Sequence, residues 1–318
     1  MHFRKNLLFI LINKLSLILF ANGFSMPTEP VDFVDPFIGT DFYAHTFPGS
    51  ALPFSMVQLS PDLDNRGWDY SSGYQFRDNT IMGFSHTHYS GSGWASNGDL
   101  LFMPTVDNII RTKPGDKENP DAGYRSRFSH DDESASPGYY SVKLQDYNIQ
   151  VELTSTRRAG FHRYTFPKAK NAHILIDLAH CLGAPAEGNS HIKFIDRQRI
   201  EGFKASSGGT VYFAAEFSRP FQAYGTWDNS YDKPETQETV NPYKNAESGP
   251  EIGAFINYQT SENEVVLVKV GISLVSVEGA RKNLQSEIPD WDFDRVHDEA
   301  RAVWNEELKK IEINGGTD

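Results

Sequence analysis

The chain has 318 residues, of which 39% are hydrophobic and 23% charged. That is the balance of a globular protein with one large or two smaller domains, not of a disordered one. A formal net charge of −12 excludes the basic footprint of a nucleic-acid binder, and a single cysteine, Cys181, excludes an internal disulfide.

The first element is a targeting signal over residues 1–25. Arg4 and Lys5 precede an apolar run from Leu7 to Phe20, broken by Asn13 and Lys14, and small residues follow near Ala21 to Ser25. These are the three regions of a secretory signal. The run is shorter than the roughly 20 residues a membrane span needs, and no later segment is long and apolar enough to cross a membrane. The sequence therefore predicts export to the periplasm or the extracellular space, with no membrane span in the mature chain.

From about residue 31 to 277 the chain reads as short strands separated by Gly, Pro, Asn and Asp clusters. The clearest strands fall at 139–144, 149–154, 160–166, 173–178, 210–217, 252–258 and 264–273. Val266, Val268 and Val270 alternate with Leu267, Lys269 and Gly271, which is the period of a sheet with one buried face. Many strands with no helices between them predict a mainly β protein, an antiparallel β-sandwich. Residues 111–137 and 226–250, polar and rich in Pro, Gly and charge, read as long surface loops. After 277 the pattern changes. Residues 279–286 and 294–311 have helical composition, and Phe293, Val296, Ala300, Val303, Trp304, Leu308 and Ile311 give one apolar helical face. Asp292 is placed to cap that helix and Gly315–Gly316 to end it. Residues 278–318 thus read as a helical linker.

The stretch from Phe37 to Met103 is dense in Gly, Ser, His, Asp and aromatics, a mix suited to a polar site on loops. Trp68 and Asp69 stand side by side. An indole face is a platform for a sugar ring, and an adjacent carboxylate accepts hydroxyl hydrogen bonds; a core Trp beside a turn-forming Asp is the alternative. His86 and His88 lie two apart, so on a strand they share a face and can bond backbone or a sugar hydroxyl. Catalytic zinc lacks its HExxH, CxxC or Cys/His cluster. A dinucleotide site, a P-loop and a GxSxG elbow are also missing. With 42 acidic residues, no pair of carboxylates can be nominated for glycoside cleavage from the residues alone.

Several of these stretches resemble the N-terminal domain of glycoside hydrolase family 92. The run Val34-Asp-Pro-Phe-Ile-Gly-Thr40 is similar to its opening motif. His45-Thr-Phe-Pro-Gly49, Pro53-Phe-Ser-Met-Val-Gln-Leu-Ser-Pro-Asp62, Gly67-Trp-Asp-Tyr-Ser-Ser-Gly-Tyr74 and Gly83-Phe-Ser-His-Thr-His88 follow in order, and Trp304-Asn-Glu-Glu-Leu308 closes the series. The resemblance implies a calcium-dependent, inverting exo-α-mannosidase acting on mannose-containing glycans such as glycoprotein N-glycans or mannans. It implies a supersandwich-like β domain joined by helices to a catalytic (α/α)6 barrel. In that frame residues 31–277 are the β domain, and the barrel, with the catalytic acid, base and most calcium contacts, lies beyond residue 318. No catalytic residue is then expected in this chain, and Trp68, Asp69, His86 and His88 are its candidate substrate contacts. The chain departs from the family at Asp41-Phe-Tyr-Ala44 and at Ala95-Ser-Asn97. A stand-alone carbohydrate-binding module without hydrolase activity is the other functional expectation.

Overall fold

Val and Ile at every second position give β19 (Glu264–Ser273) a wholly buried row of Val266, Val268, Val270 and Ile272. That row faces the interior of a sandwich, in the computed structural model that describes residues 29–230 and 240–313. The strands in chain order are β1 (Ser50–Ala51), β2 (Gln58–Asp62), β3 (Thr80–Ile81), β4 (Gly83–Ser85), β5 (Leu101–Val106), β6 (Ser126–Arg127), β7 (Glu133–Ser136), β8 (Tyr139–Leu144), β9 (Ile149–Ser155) and β10 (Ala159–Phe166). They continue with β11 (Ala169–Asp177), β12 (Ser190–Phe194), β13 (Arg199–Ser206), β14 (Gly209–Phe217), β15 (Ala223–Asp228), β16 (Val240–Pro242), β17 (Ala246–Gly249), β18 (Ile252–Thr260) and β19. One sheet runs β1-β2-β4-β5-β11-β18-β15-β16 and the other β17-β12-β13-β14-β19-β10-β9-β8-β7, while β3 and β6 pair apart from both. The neighbours are antiparallel throughout. Their inner faces meet in one continuous apolar core that includes Trp227, Phe102, Tyr164, Phe213 and Ile256.

Every strand read from the sequence is present, with ends that agree to within four residues. The expectation of long open loops is corrected. Residues 111–137 hold β6, β7 and two 3₁₀ turns, and residues 226–250 hold the end of β15 together with β16 and β17. These strands are two to four residues long and polar, too short for a period of two to register. The targeting signal and Gly315–Gly316 lie outside the described residues. Among the described residues no helix is long and apolar enough to cross a membrane.

The nine-stranded sheet is buried on its second face as well, which alternation alone did not convey. Helices α1 (Val277–Glu287) and α2 (Phe293–Leu308) lie across it. Ser276 and Asp292 cap them by accepting from the backbone N–H groups of Gly279 and Arg295, which satisfies donors the first turn leaves orphaned. Ala159 and Phe161 of β10 then pack with Leu284, Ile288, Phe293 and Val296 in a satellite cluster. Lys269 is buried between sheet and helices. Its Nζ donates to the Ile288 carbonyl at 3.1 Å, pairs with Glu216 at 3.2 Å and sits 4.2 Å from the Trp291 ring centre. A buried ammonium is tolerated only when so surrounded. α2 also reaches the first sheet, where Trp304 Nε1 donates to the Ala51 carbonyl at 2.6 Å.

The closest approach of α1 is over Gly271, where a Cβ would stand 2.5 Å from the Ala280 carbonyl oxygen and 2.7 Å from Leu284 Cβ. Neither atom is the loose end of a side chain. Gly271→Ala is therefore expected to lower stability by about 1–3 kcal/mol through overpacking, read as a reduced urea midpoint; an unchanged midpoint would show that α1 does not lie tightly on this sheet.

Candidate functional site

The segment from 37 to 103 folds into short strands and turns at the rim of the eight-stranded sheet, organised below the surface by one carboxylate. Asp62, the last residue of β2, is fully buried. His88 Nε2 donates to its Oδ1 at 2.8 Å and His180 Nε2 to its Oδ2 at 2.7 Å. His88 Nδ1 donates in turn to the Gln58 carbonyl at 2.8 Å. Burial by itself would raise the Asp62 carboxyl, but the two imidazoles outweigh it and hold the group well below the usual carboxylate range. The site is also shaped for a residue without a side chain above it. Gly73 has φ +81°, and a Cβ there would fall 1.9 Å from Asp62 Oδ1, so glycine satisfies both the left-handed backbone and the close approach.

A second buried chain runs beside the first. His86 Nδ1 donates to the Leu100 carbonyl at 2.8 Å, which leaves its Nε2 as an acceptor. His162 Nε2 donates to that acceptor at 3.0 Å, and the Tyr164 hydroxyl donates to His162 Nδ1 at 2.8 Å. With the Tyr164 hydroxyl as donor both rings are neutral, the form that burial favours. Burial lowers His86 to about 4, from an ordinary 6.5, and lowers His162 well below its ordinary value. Further along, Lys204 and Asp99 pair at 3.4 Å, both buried. Lys204 Nζ donates to the His180 carbonyl, and Thr87 and Ser206 donate to Asp99.

The structure thus separates the four residues that the sequence grouped together. His86 and His88 do not converge on an open face. Strand β4 ends at Ser85, and both rings point into the protein, where backbone, carboxylate or imidazole groups take their nitrogens. Trp68 and Asp69 are at the surface. They lie in a 3₁₀ turn over Trp68–Tyr70, and Trp68 is 54% exposed, which sets aside the core-Trp alternative. Its ring lies 5.2 Å from Tyr43 and 4.3 Å, edge to face, from His45. Asp69 accepts from Arg77 Nη2 at 2.8 Å, and Arg77 lies 3.8 Å from Asp41 and over the Phe42 ring. Flanking contacts brace the turn. Arg66 is held bidentately by Asp64 and by Asp116, and Lys117 donates to the Tyr70 hydroxyl at 2.8 Å. Tyr43, His45, Asp62 and His180 escaped the sequence reading as site residues, because their partners are 23 to 118 residues away. Among the described residues no group of three or more His, Cys, Asp or Glu side chains is placed to hold a metal ion.

Comparison with known proteins bears on what this rim belongs to. The family model "Glycosyl hydrolase family 92 N-terminal domain" matches residues 33–273. The chain belongs to glycosyl hydrolase family 92. The family's catalytic-domain model matches residues 279–318, the segment that carries α1 and α2. A family GH92 α-mannosidase from Bacteroides thetaiotaomicron, solved with mannoimidazole, is 38% identical with a TM-score of 0.82 over 89% of this chain and 37% of its own. The family's inverting mannosidase structure from Bacteroides thetaiotaomicron VPI-5482 is 25% identical with a TM-score of 0.76, over 92% of this chain and 38% of its own. An uncharacterized secreted glycosidase of Arthroderma benhamiae is 28% identical over 305 residues, which are 89% of this chain and 38% of that protein. This family 92 chain therefore spans under two fifths of the length of these relatives.

The buried histidines give the chain a pH dependence. Unfolded, His86 takes a proton near 6.5; folded, it takes one only near 4. Between those values the unfolded state binds more protons, so stability rises with pH and is lost as pH falls from about 6.5 towards 4. Urea midpoints measured across that window are expected to fall with acidification. In His162→Phe, which abolishes the His86–His162 bond, the profile is expected to change shape; identical profiles would refute the neutral-pair assignment.

Proposed function

We propose that this chain is the carbohydrate-contacting N-terminal part of an exported α-mannosidase that cleaves α-mannosides of glycoprotein N-glycans or mannans with inversion. The observation that carries the reading is the outward-facing Trp68, with Asp69 beside it, on the rim of the sandwich of a family 92 chain. The indole offers an apolar face to the C–H side of a mannose ring. Arg77 engages one oxygen of Asp69 and orients the carboxylate towards hydroxyls at the ring's edge. His86 and His88 act from beneath, as supports for the rim.

The catalytic acid and base belong, in this reading, to the part of the family's length that the sequence does not include. Inversion requires two carboxyls roughly 6.5–9.5 Å apart with a water between them, and the rim closes one side of that pocket. The calcium implied by the family finds no cluster of ligands among the described residues. The secreted relative and the Arg4–Phe20 signal pattern support export.

Two measurements test the proposal on the pure chain. Aryl α-mannoside hydrolysis is expected to be undetectable with or without calcium; reproducible turnover would overturn it. Methyl α-D-mannopyranoside is expected to bind no tighter than about millimolar, near 4 kcal/mol, and Trp68→Ala to weaken that binding at least about fivefold, or about 1 kcal/mol. Equal affinity of the wild type and Trp68→Ala would remove Trp68 from the site.

A further inference from the structure

His45 sits at the platform without a role in the sugar contact proposed above. It is 3% exposed and adopts φ +55°, a left-handed backbone rare for a residue with a side chain. Phe42, three residues earlier, is left-handed too, so this stretch curls sharply and turns the imidazole inward. The Ser71 hydroxyl has one proton, which it donates to the Ser92 carbonyl at 3.2 Å. It must therefore accept from His45 Nδ1–H at 2.8 Å. His45 Nε2 is left without a hydrogen-bond partner although it is buried. Its ring meets the Trp68 indole edge to face at 4.3 Å. Its carbonyl accepts from the Gly91 N–H at 2.7 Å, and Gly93 lies on the same indole, where a Cβ would come within 2.8 Å of Nε1.

We infer that His45 is a positioning residue: it latches the 42–45, 68–71 and 90–93 segments together and fixes which face of Trp68 is presented to the sugar. The strained backbone and the unpartnered nitrogen are what folding alone would avoid. Both follow from placing a flat, rigid edge against the indole. The Ser71 bond sets the ring's rotation, and the Gly91 bond ties the loop that closes over Trp68. This inference rests on the reading that Trp68 is the sugar platform.

The test uses the full chain with methyl α-D-mannopyranoside as probe and the Trp68 indole N–H resonance as a second readout. In His45→Asn the amide can still donate to Ser71, and asparagine tolerates the left-handed backbone, but the ring is gone. In Ser71→Ala the ring stays and its latch is lost. Both variants are expected to keep the wild-type unfolding midpoint within a few degrees. Each should shift or broaden the Trp68 indole resonance while leaving Trp227, Trp291 and Trp304 in place, and weaken mannoside binding about three- to tenfold. An unmoved Trp68 resonance and a dissociation constant within twofold in both variants would overturn the inference. Trp68→Ala separates the two ideas. If it leaves affinity unchanged, the platform reading fails, and the indole resonance alone still decides whether His45 positions Trp68.

Discussion

Asp62 is a charge placed where no water can reach it, and the rim of the sandwich is arranged around that fact. An isolated buried carboxylate is prohibitively unfavourable, so each of its oxygens must be met by a donor. One donor, His88, comes from the stretch after β4 and the other, His180, from the stretch after β11. The Met82 and Leu63 N–H groups bind the backbone carbonyls of Asp62 and Gly73 at 2.8 and 2.7 Å. Three segments far apart in the chain are thus held in a single arrangement. The exposed turn that presents Trp68 lies just before Gly73, which closes directly over Asp62. Geometry at the surface depends in this way on a bond below it.

The outer layers solve a different problem. The nine-stranded sheet is apolar on both faces along β10 and β19, so it needs a cover. Helices α1 and α2 supply it, and the Lys269 ammonium and the Arg158–Glu287 and Arg281–Glu201 pairs fix their seating. Because α2 also bonds the first sheet through Trp304, the helical segment is tied to both sheets. That segment is where the family's catalytic-domain model begins to match. The rim with Trp68 and the helices are therefore parts of one packed body.

Much of the sandwich was legible from the sequence because β8 to β11, β14, β18 and β19 are seven or more residues long or alternate cleanly. Strands β1 to β4 were not. They run only two to five residues, and β2 and the segment after β4 are joined by the buried Asp62–His88 bond, which no local preference announces. The same long-range constraint explains the candidate site. Trp68 and Asp69 could be read because adjacent aromatic and acidic residues are a local signal, and the structure leaves them at the surface. His86 and His88 looked alike as a pair but have different partners, a neutral imidazole for one and a carboxylate for the other. No spacing rule distinguishes those, and none would have pointed to His45 or His180.

If one buried carboxylate organises the rim, Asp62 and His88 must be energetically coupled. A double-mutant cycle with Asp62→Asn, His88→Gln and the combined variant, followed by urea unfolding, measures this directly. Removing one partner leaves the other buried and unmatched, a loss of about 3–5 kcal/mol for either single variant. The combined variant should lose much less than the sum, a coupling of about 2 kcal/mol or more. Losses that add to within about 0.5 kcal/mol would show that the two residues act independently, and would contradict the claim that one buried carboxylate organises the rim.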